Sequence, residues 1–256
     1  MATFEEEYRL VEKKLKRLIK ISLVGKKVKL VGEENFVREG PNIIVGNHIG
    51  SFKDVAIMFK IVPRQVFFTA NKKIFDKDDL HALMRHHLKR HLKRFGLFLD
   101  LLFRPFTLPI FDFISKNIAN VGTVPVDLEG TKRNAIKLCE QRVDEGRPLV
   151  LLQGRGRIIS TDPNPYVHNF RRGASIICYN LYEEKKKSIP VTPVAVFKSH
   201  WPFMVPCTIR VNVGAPMFIQ DYWEDDFNNT VRRFSSALEN STKELLHELL
   251  LLENHK

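Results

Sequence analysis

Residues 41–59 read PNIIVGNHIGSFKDVAIMF: the apolar run of Ile43, Ile44 and Val45 stops at Gly46-Asn47-His48, and a carboxylate, Asp54, follows six positions after the histidine. The run has the composition of a buried strand. A strand that ends in Gly-Asn-His sets its imidazole at the carboxyl edge of a sheet, where open α/β folds keep their ligand crevices. A histidine there takes a proton from a hydroxyl, and a carboxylate on its other ring nitrogen fixes the tautomer and stabilises the imidazolium. Asp54 is the candidate for that second role. Taken alone, the residues equally allow a structural histidine that caps the following helix, with Asp54 in that helix's first turn.

Six more runs rich in β-branched and aliphatic residues lie along the chain: KVKLVG (27–32), QVFFTA (65–70), GTVPV (122–126), PLVLLQ (148–153), VTPVAVF (191–197) and TIRVNVG (208–214). Helical patterns separate several of them, over 131–146, 170–186 and Thr230 to Leu252. Alternating strands and helices predict an α/β fold, a central mostly parallel mixed sheet covered by helices. No repeat, low-complexity tract or flexible linker interrupts the pattern. The expected organisation is one domain over 1–256, with an N-terminal helix at 1–22, an α/β core at 40–215 and a C-terminal helix at 223–256.

With 44% hydrophobic residues in 256, the chain can bury a sizeable core. Lys and Arg number 41 against 29 Asp and Glu, and the resulting +12 calls for an anionic partner: nucleic acid, anionic lipid or a phosphorylated substrate. The basic residues sit beside apolar stripes, with no helix-turn-helix, zinc-finger or RNA-binding signature, so nucleic acid is not expected. Cys139, Cys178 and Cys207 form no C-x-x-C pair, which argues against a disulfide framework or zinc site and for core or near-core thiols in a reducing, cytoplasmic-side location. The opening MATFEEEYRLVEKKLKRLIK has no signal-peptide core, and Asp100, Arg104, Asp112 and Lys116 break the greasiest region, 95–119. Neither a signal peptide nor a transmembrane helix is therefore expected.

That opening stretch predicts an amphipathic helix, with Thr3 as N-cap, Glu6 completing a capping box, and Phe4, Tyr8, Val11, Leu15, Leu18 and Ile19 on one face. Its other face is basic. Residues 71–119 predict a basic and aromatic helical insertion, where Leu80, Leu83, Met84, Leu88, Leu92 and Phe95 run beside Arg85, Lys89, Arg90, Lys93 and Arg94. Such a pattern suits a helix on an anionic bilayer, or a surface helix with a solvated basic face. With Phe98, Phe103, Phe106, Phe111 and Phe113, the stretch from about 80 to 113 is expected to join the N-terminal helix in one membrane-facing surface next to the crevice holding His48. His81, His86, His87 and His91 include i, i+4 pairs but have no carboxylate ligand or H-E-x-x-H setting, so no metal is expected.

The segment GNHIGSFKD (46–54) resembles the Asn-His-x4-Asp block of the glycerolipid acyltransferase superfamily, which includes glycerol-3-phosphate and lysophosphatidic acid acyltransferases. Later blocks follow in order. VGTVPVD (121–127) resembles the segment before the second family motif, and LLQGRGRI (151–158) the Phe-Pro-Glu-Gly-Thr-Arg block. FRRGA (170–174) and IPVTPVAV (189–196) resemble the Phe-x-x-Gly and Val-Pro-x-x-Pro-Val motifs. Three features depart from the pattern. Five residues rather than four separate His48 from Asp54, and a φ > 0 conformation at Gly50 is expected to absorb the extra one. Gln153 stands where the family has glutamate, and VDLEG lacks the arginine that often follows the aspartate, leaving Lys132 or Arg133 as substitutes or as solvated helix residues.

The resemblance implies transfer of a fatty acyl group from acyl-CoA or acyl carrier protein to a hydroxyl of a lysophospholipid or glycerol-phosphate acceptor, 1-acylglycerol-3-phosphate being favoured. It implies a role in phospholipid biosynthesis at the cytoplasmic side of an anionic membrane, with the enzyme bound peripherally. His48 would act as base and Asp54 as its orienter, with no resident cofactor, because the acceptor hydroxyl attacks the thioester directly. Gln153, Gly154, Arg155 and Arg157 would bind substrate, the arginines on phosphate and amides around Gly154 on the oxyanion. Without the neighbouring blocks, the same QGRGR is a tight turn with two solvated arginines. The alternative is a family member that keeps lipid binding and has lost catalysis.

Overall fold

The structure, a computed structural model, describes residues 4–127, 130, 132–161 and 163–254. The expected N-cap Thr3 lies outside the described residues, as do the side chains of Phe4, of residues 87–100, and of Phe103 and Phe106. Each apolar run identified above forms a strand: β1 (Lys26–Val31), β2 (Asn42–His48), β3 (Phe67–Asn71), β4 (Thr123–Val126), β5 (Pro148–Gly154), β6 (Val191–Phe197) and β7 (Cys207–Val213). The helices are α1 (Phe4–Ser22), α2 (Phe52–Ile61), α3 (Lys77–Asn117), α4 (Arg133–Asp144), α5 (Gly173–Lys185) and α6 (Phe227–Asn254). Pairings are parallel for β1–β7, β2–β5, β2–β6 and β3–β4, and antiparallel for β6–β7, the mostly parallel mixed arrangement expected.

The chain divides into two compact units, Met1–Lys13 with Phe68–Ala135, and Lys14–Phe67 with Ile136–Lys256. In the larger unit the strand order is β1-β7-β6-β2-β5. β2 and β6 are buried along almost their whole length, as strands covered on both faces must be. α6 closes one side with Phe234, Leu238, Leu246 and Leu249 buried, and Ser175 of α5 meets Ser235 of α6 at 2.8 Å. In the smaller unit the anticipated insertion is a single 41-residue helix, α3, with Pro105 and Pro109 inside it. Asp76 caps its start, accepting from the amides of Asp78 and Asp79 at 2.9 Å each. On α3, Leu80 is buried, Leu83, Met84, Phe111 and Phe113 are half-buried, and Arg85 is exposed. Among the described residues no helix is long and apolar enough to cross a membrane.

One side chain fixes the end of β2. The β2–β6 register runs from Ile43↔Val191 to Gly46↔Val194, and there the backbone ladder stops. Asn47, fully buried, continues it: Nδ2 donates to the Val196 carbonyl at 2.9 Å and Oδ1 accepts from the Val196 amide at 2.7 Å. Nδ2 also donates to the Tyr166 carbonyl at 3.0 Å. A side chain that mimics a peptide group thus locks the residue before His48 to the centre of the sheet. Replacing it strands buried partners, each costing about 1–3 kcal/mol. Asn47→Ala should lower unfolding free energy by at least that amount in urea titrations, and Asn47→Asp by more, because it sets a buried carboxylate oxygen against the Tyr166 and Val196 carbonyls.

Candidate active site

His48 ends β2 and Asp54 lies in the first turn of α2, so the two are joined only by Ile49, Gly50, Ser51 and the first residues of that helix. His48 Nδ1 stands 2.8 Å from Asp54 Oδ2. The same oxygen accepts from the amides of Ile49 at 2.9 Å and Gly50 at 2.7 Å. Asp54 is fully buried, whereas the His48 side chain is 24% exposed. A carboxylate only accepts, so Nδ1 carries the proton and Nε2 is left with its lone pair, the tautomer a general base requires.

The turn corrects one expectation. Gly50 does not take up positive φ; Ser51 does, at φ 54° and ψ −130°. Gly50 serves a different need, since a Cβ there would lie 2.5 Å from Ser199 Oγ and 2.7 Å from Asp54 Oδ1. Close approach fixes residue 50 as glycine, and the extra residue of the turn is absorbed next door at a strained serine.

Opposite the dyad, β5 runs parallel to β2 with Asn47↔Gln153 and His48↔Gly154 in register. Gly154 has φ 138°, and a Cβ on it would meet the His48 carbonyl oxygen at 2.7 Å. Gly156, at φ 69°, donates its amide to that carbonyl at 3.0 Å. The Gly156 amide is thereby committed to the fold and cannot serve an oxyanion. Its missing side chain matters more, because a Cβ there would sit 3.4 Å from His48 Nε2. That space is where a hydroxyl would stand to lose its proton.

Gln153 is buried and its Oε1 accepts from the Arg171 amide at 3.0 Å, which ties the end of β5 to the segment leading into α5. Arg155 is exposed and Arg157 half-buried; among the described residues neither forms an ion pair. Asp127 of VDLEG pairs with Lys72 at 2.7 Å within the smaller unit. Cys139 and Cys178 are buried, and burial pushes both thiols up, Cys139 to about 12, while Cys207 is half-buried. The expected core thiols are thus found in place, and no described cluster of His, Cys, Asp or Glu is arranged to hold a metal.

Sequence reasoning missed the neighbours of Asp54. Asp54 Oδ1, Ser199 Oγ and His200 Nδ1 are buried and lack hydrogen-bond partners. Burial, and then the Lys53 ammonium, pull His200 below its ordinary value. Burial, and then Lys26, do the same to Lys53, whose Nζ donates to the Trp201 carbonyl at 2.5 Å. The only trace of this cluster in the sequence is polar Ser199-His200 just past an apolar strand.

A buried carboxylate orienting a partly exposed imidazole, at the carboxyl edge of paired parallel strands and facing a glycine-arginine loop, is the arrangement that a general base requires. The chain belongs to the Acyltransferase family, whose model matches residues 27–197. Among solved structures it is similar to the 1-acyl-sn-glycerophosphate (LPA) acyltransferase PlsC from Thermotoga maritima, with a TM-score of 0.59 at 16% identity over 97% of this chain and 84% of that one. Curated protein sequences gave no match. The membership agrees with the five blocks that resemble the glycerolipid acyltransferase superfamily.

Two substitutions check this geometry. Ser51→Gly should stabilise the chain by about 1 kcal/mol and Ser51→Val should destabilise it by more, since only glycine is at ease at that φ and ψ; urea midpoints decide. Gly156→Ala should depress turnover at least tenfold, by crowding Nε2 and straining a backbone held at φ 69°, with the circular dichroism spectrum unchanged.

Proposed function

We propose that this chain is an O-acyltransferase of phospholipid biosynthesis. It moves a fatty acyl group from acyl-CoA or acyl carrier protein to a hydroxyl of a lysophospholipid or glycerol-phosphate acceptor, 1-acylglycerol-3-phosphate foremost. The observation that carries this reading is the His48–Asp54 dyad at 2.8 Å, with Nε2 open beside the side-chain-free Gly156. Nε2 takes the acceptor's hydroxyl proton as its oxygen attacks the thioester carbonyl, and the imidazolium rests on the Asp54 carboxylate. Collapse of the tetrahedral intermediate expels the thiolate, which takes the proton from His48. Arg155 and Arg157 hold the acceptor phosphate, their guanidinium forks matching its oxygens. The enzyme works peripherally, on the cytoplasmic face of an anionic membrane that attracts its +12 charge.

A family member that binds lipid without catalysis would draw on Gln153 and the longer spacing. What speaks against it is that the longer spacing still brings His48 Nδ1 to 2.8 Å from Asp54, and that Gln153 accepts from the Arg171 amide. The test is a matrix of acyl-CoA and acyl carrier protein donors against glycerol-3-phosphate, lysophosphatidic acid and other lysolipids, read by mass spectrometry. Lysophosphatidic acid should give the most product, and His48→Ala should lose on the order of 10²- to 10⁴-fold while remaining folded. Wild-type turnover in His48→Ala would sink the mechanism, and silence across the matrix would favour the lipid-binding reading.

A further inference from the structure

The connection from β6 to β7 is apolar and turned to solvent. Trp201 is 38% exposed, Phe203 44%, Met204 62% and Val205 39%. Folded chains do not ordinarily present consecutive large apolar side chains to water unless something else covers them. The patch is continuous with the end of α1 and the turn into β1, where Ile21 and Val24 are exposed. There a Cβ on Gly25 would lie 2.8 Å from the Met204 carbonyl oxygen, and the Cys207 amide donates to the Gly25 carbonyl at 3.1 Å.

The loop is held rather than loose. Lys26 is buried beneath it and donates Nζ to the carbonyls of Pro202, at 2.8 Å, and Val205. Lys53, also buried, donates to the Trp201 carbonyl from the other side. Burying two ammonium groups is costly, and here both are used to satisfy the loop's backbone. A segment with three of its five carbonyls satisfied from within while its apolar side chains are exposed goes far toward the condition for entering an apolar phase. The loop's root also reaches the dyad: Ser199 borders Asp54 at Gly50, and Lys53 is the residue before Asp54. Phe52, at the start of α2, adds another exposed ring beside Lys53. Exposed Arg17, Lys20 and Lys27 lie close in sequence to Ile21 and Val24, and would meet anionic headgroups as the apolar side chains pass between them.

We propose that the Trp201–Val205 loop, flanked by Ile21, Val24 and Phe52, is the surface by which this chain enters an anionic bilayer, bringing the His48 site to its lipid acceptor. This rests on the lipid-acceptor reading above and goes beyond it in naming the residues that touch the membrane. It assigns the contact to an element other than the α1 apolar stripe and α3.

Trp201 itself is the probe. The chain has two tryptophans, so Trp223→Phe leaves Trp201 alone. With phosphatidylglycerol vesicles its emission should shift to the blue, and lipids brominated on the upper acyl chain should quench it at least twofold. Phosphatidylcholine vesicles should do neither. Phe203→Glu combined with Met204→Glu should weaken vesicle partitioning on the order of 100-fold, from the loss of two buried apolar side chains. In that variant acyl transfer to vesicle-embedded lysophosphatidic acid should fall, while transfer to soluble glycerol-3-phosphate persists. Vesicle binding with Trp201 unquenched, or no vesicle binding at all, would overturn the proposal. Quenching in a chain without acyl transfer on any acceptor would uphold the loop and defeat the enzymatic reading instead.

Discussion

Asp54 is a carboxylate sealed from water, and much of the site's local structure is the consequence of making that tolerable. An ionised carboxyl without partners in a protein interior costs several kcal/mol. Asp54 Oδ2 answers with three donors, the His48 ring and the amides of Ile49 and Gly50, all within 2.9 Å. Gathering them onto one oxygen forces the chain to reverse tightly between β2 and α2. That reversal excludes a side chain at residue 50 and forces Ser51 into a backbone region few residues visit. The strain at Ser51 and the charge at Asp54 are two sides of one arrangement.

The other half of the site is defined by what is missing from it. Parallel pairing of β2 with β5 brings the LLQGRGRI segment directly across from His48, too close for side chains at Gly154 and Gly156. Gly154 lets the backbones touch, and Gly156 keeps the front of Nε2 clear. Asn47 holds the same strand from the opposite neighbour, with its amide in place of a backbone pair. The imidazole is therefore positioned from both sides by main chain and by a side chain acting as main chain, which leaves it little freedom to drift from a productive angle.

Charge is divided by burial. The chain's excess of cations suggests an anionic partner in bulk, yet Lys26 and Lys53 are interior and bind carbonyls of the chain itself. Arg210 and Lys198 likewise share Glu253 near the end of α6. Among the described residues many other cations stay exposed, and of these Arg155 at the site and Arg17, Lys20 and Lys27 near the apolar loop are the ones proposed to meet a phosphate or a headgroup.

All seven strands, the helical segments and the family were legible in the sequence, because each rests on local periodicity or on short blocks of fixed spacing. A β-branched run between turn residues is a strand in almost any context, and Asn-His followed at short range by Asp constrains its own turn. The local pattern also pointed to the wrong residue: glycine is the natural place for positive φ, so Gly50 was expected to carry what Ser51 carries. Ser199, just past the end of β6, and Asp54 Oδ1 together explain why residue 50 must be glycine for another reason. The same holds for Gly156 in front of Nε2, for Gln153 on the Arg171 amide, and for the buried lysines under residues 201–205. Those pairings join positions far apart in the chain, and they exist only once strand register is set. Sequence determined which elements form and named the candidate imidazole and carboxylate; the folded turn decided that the two meet, and packing between distant segments decided what surrounds them and which apolar side chains were left facing out.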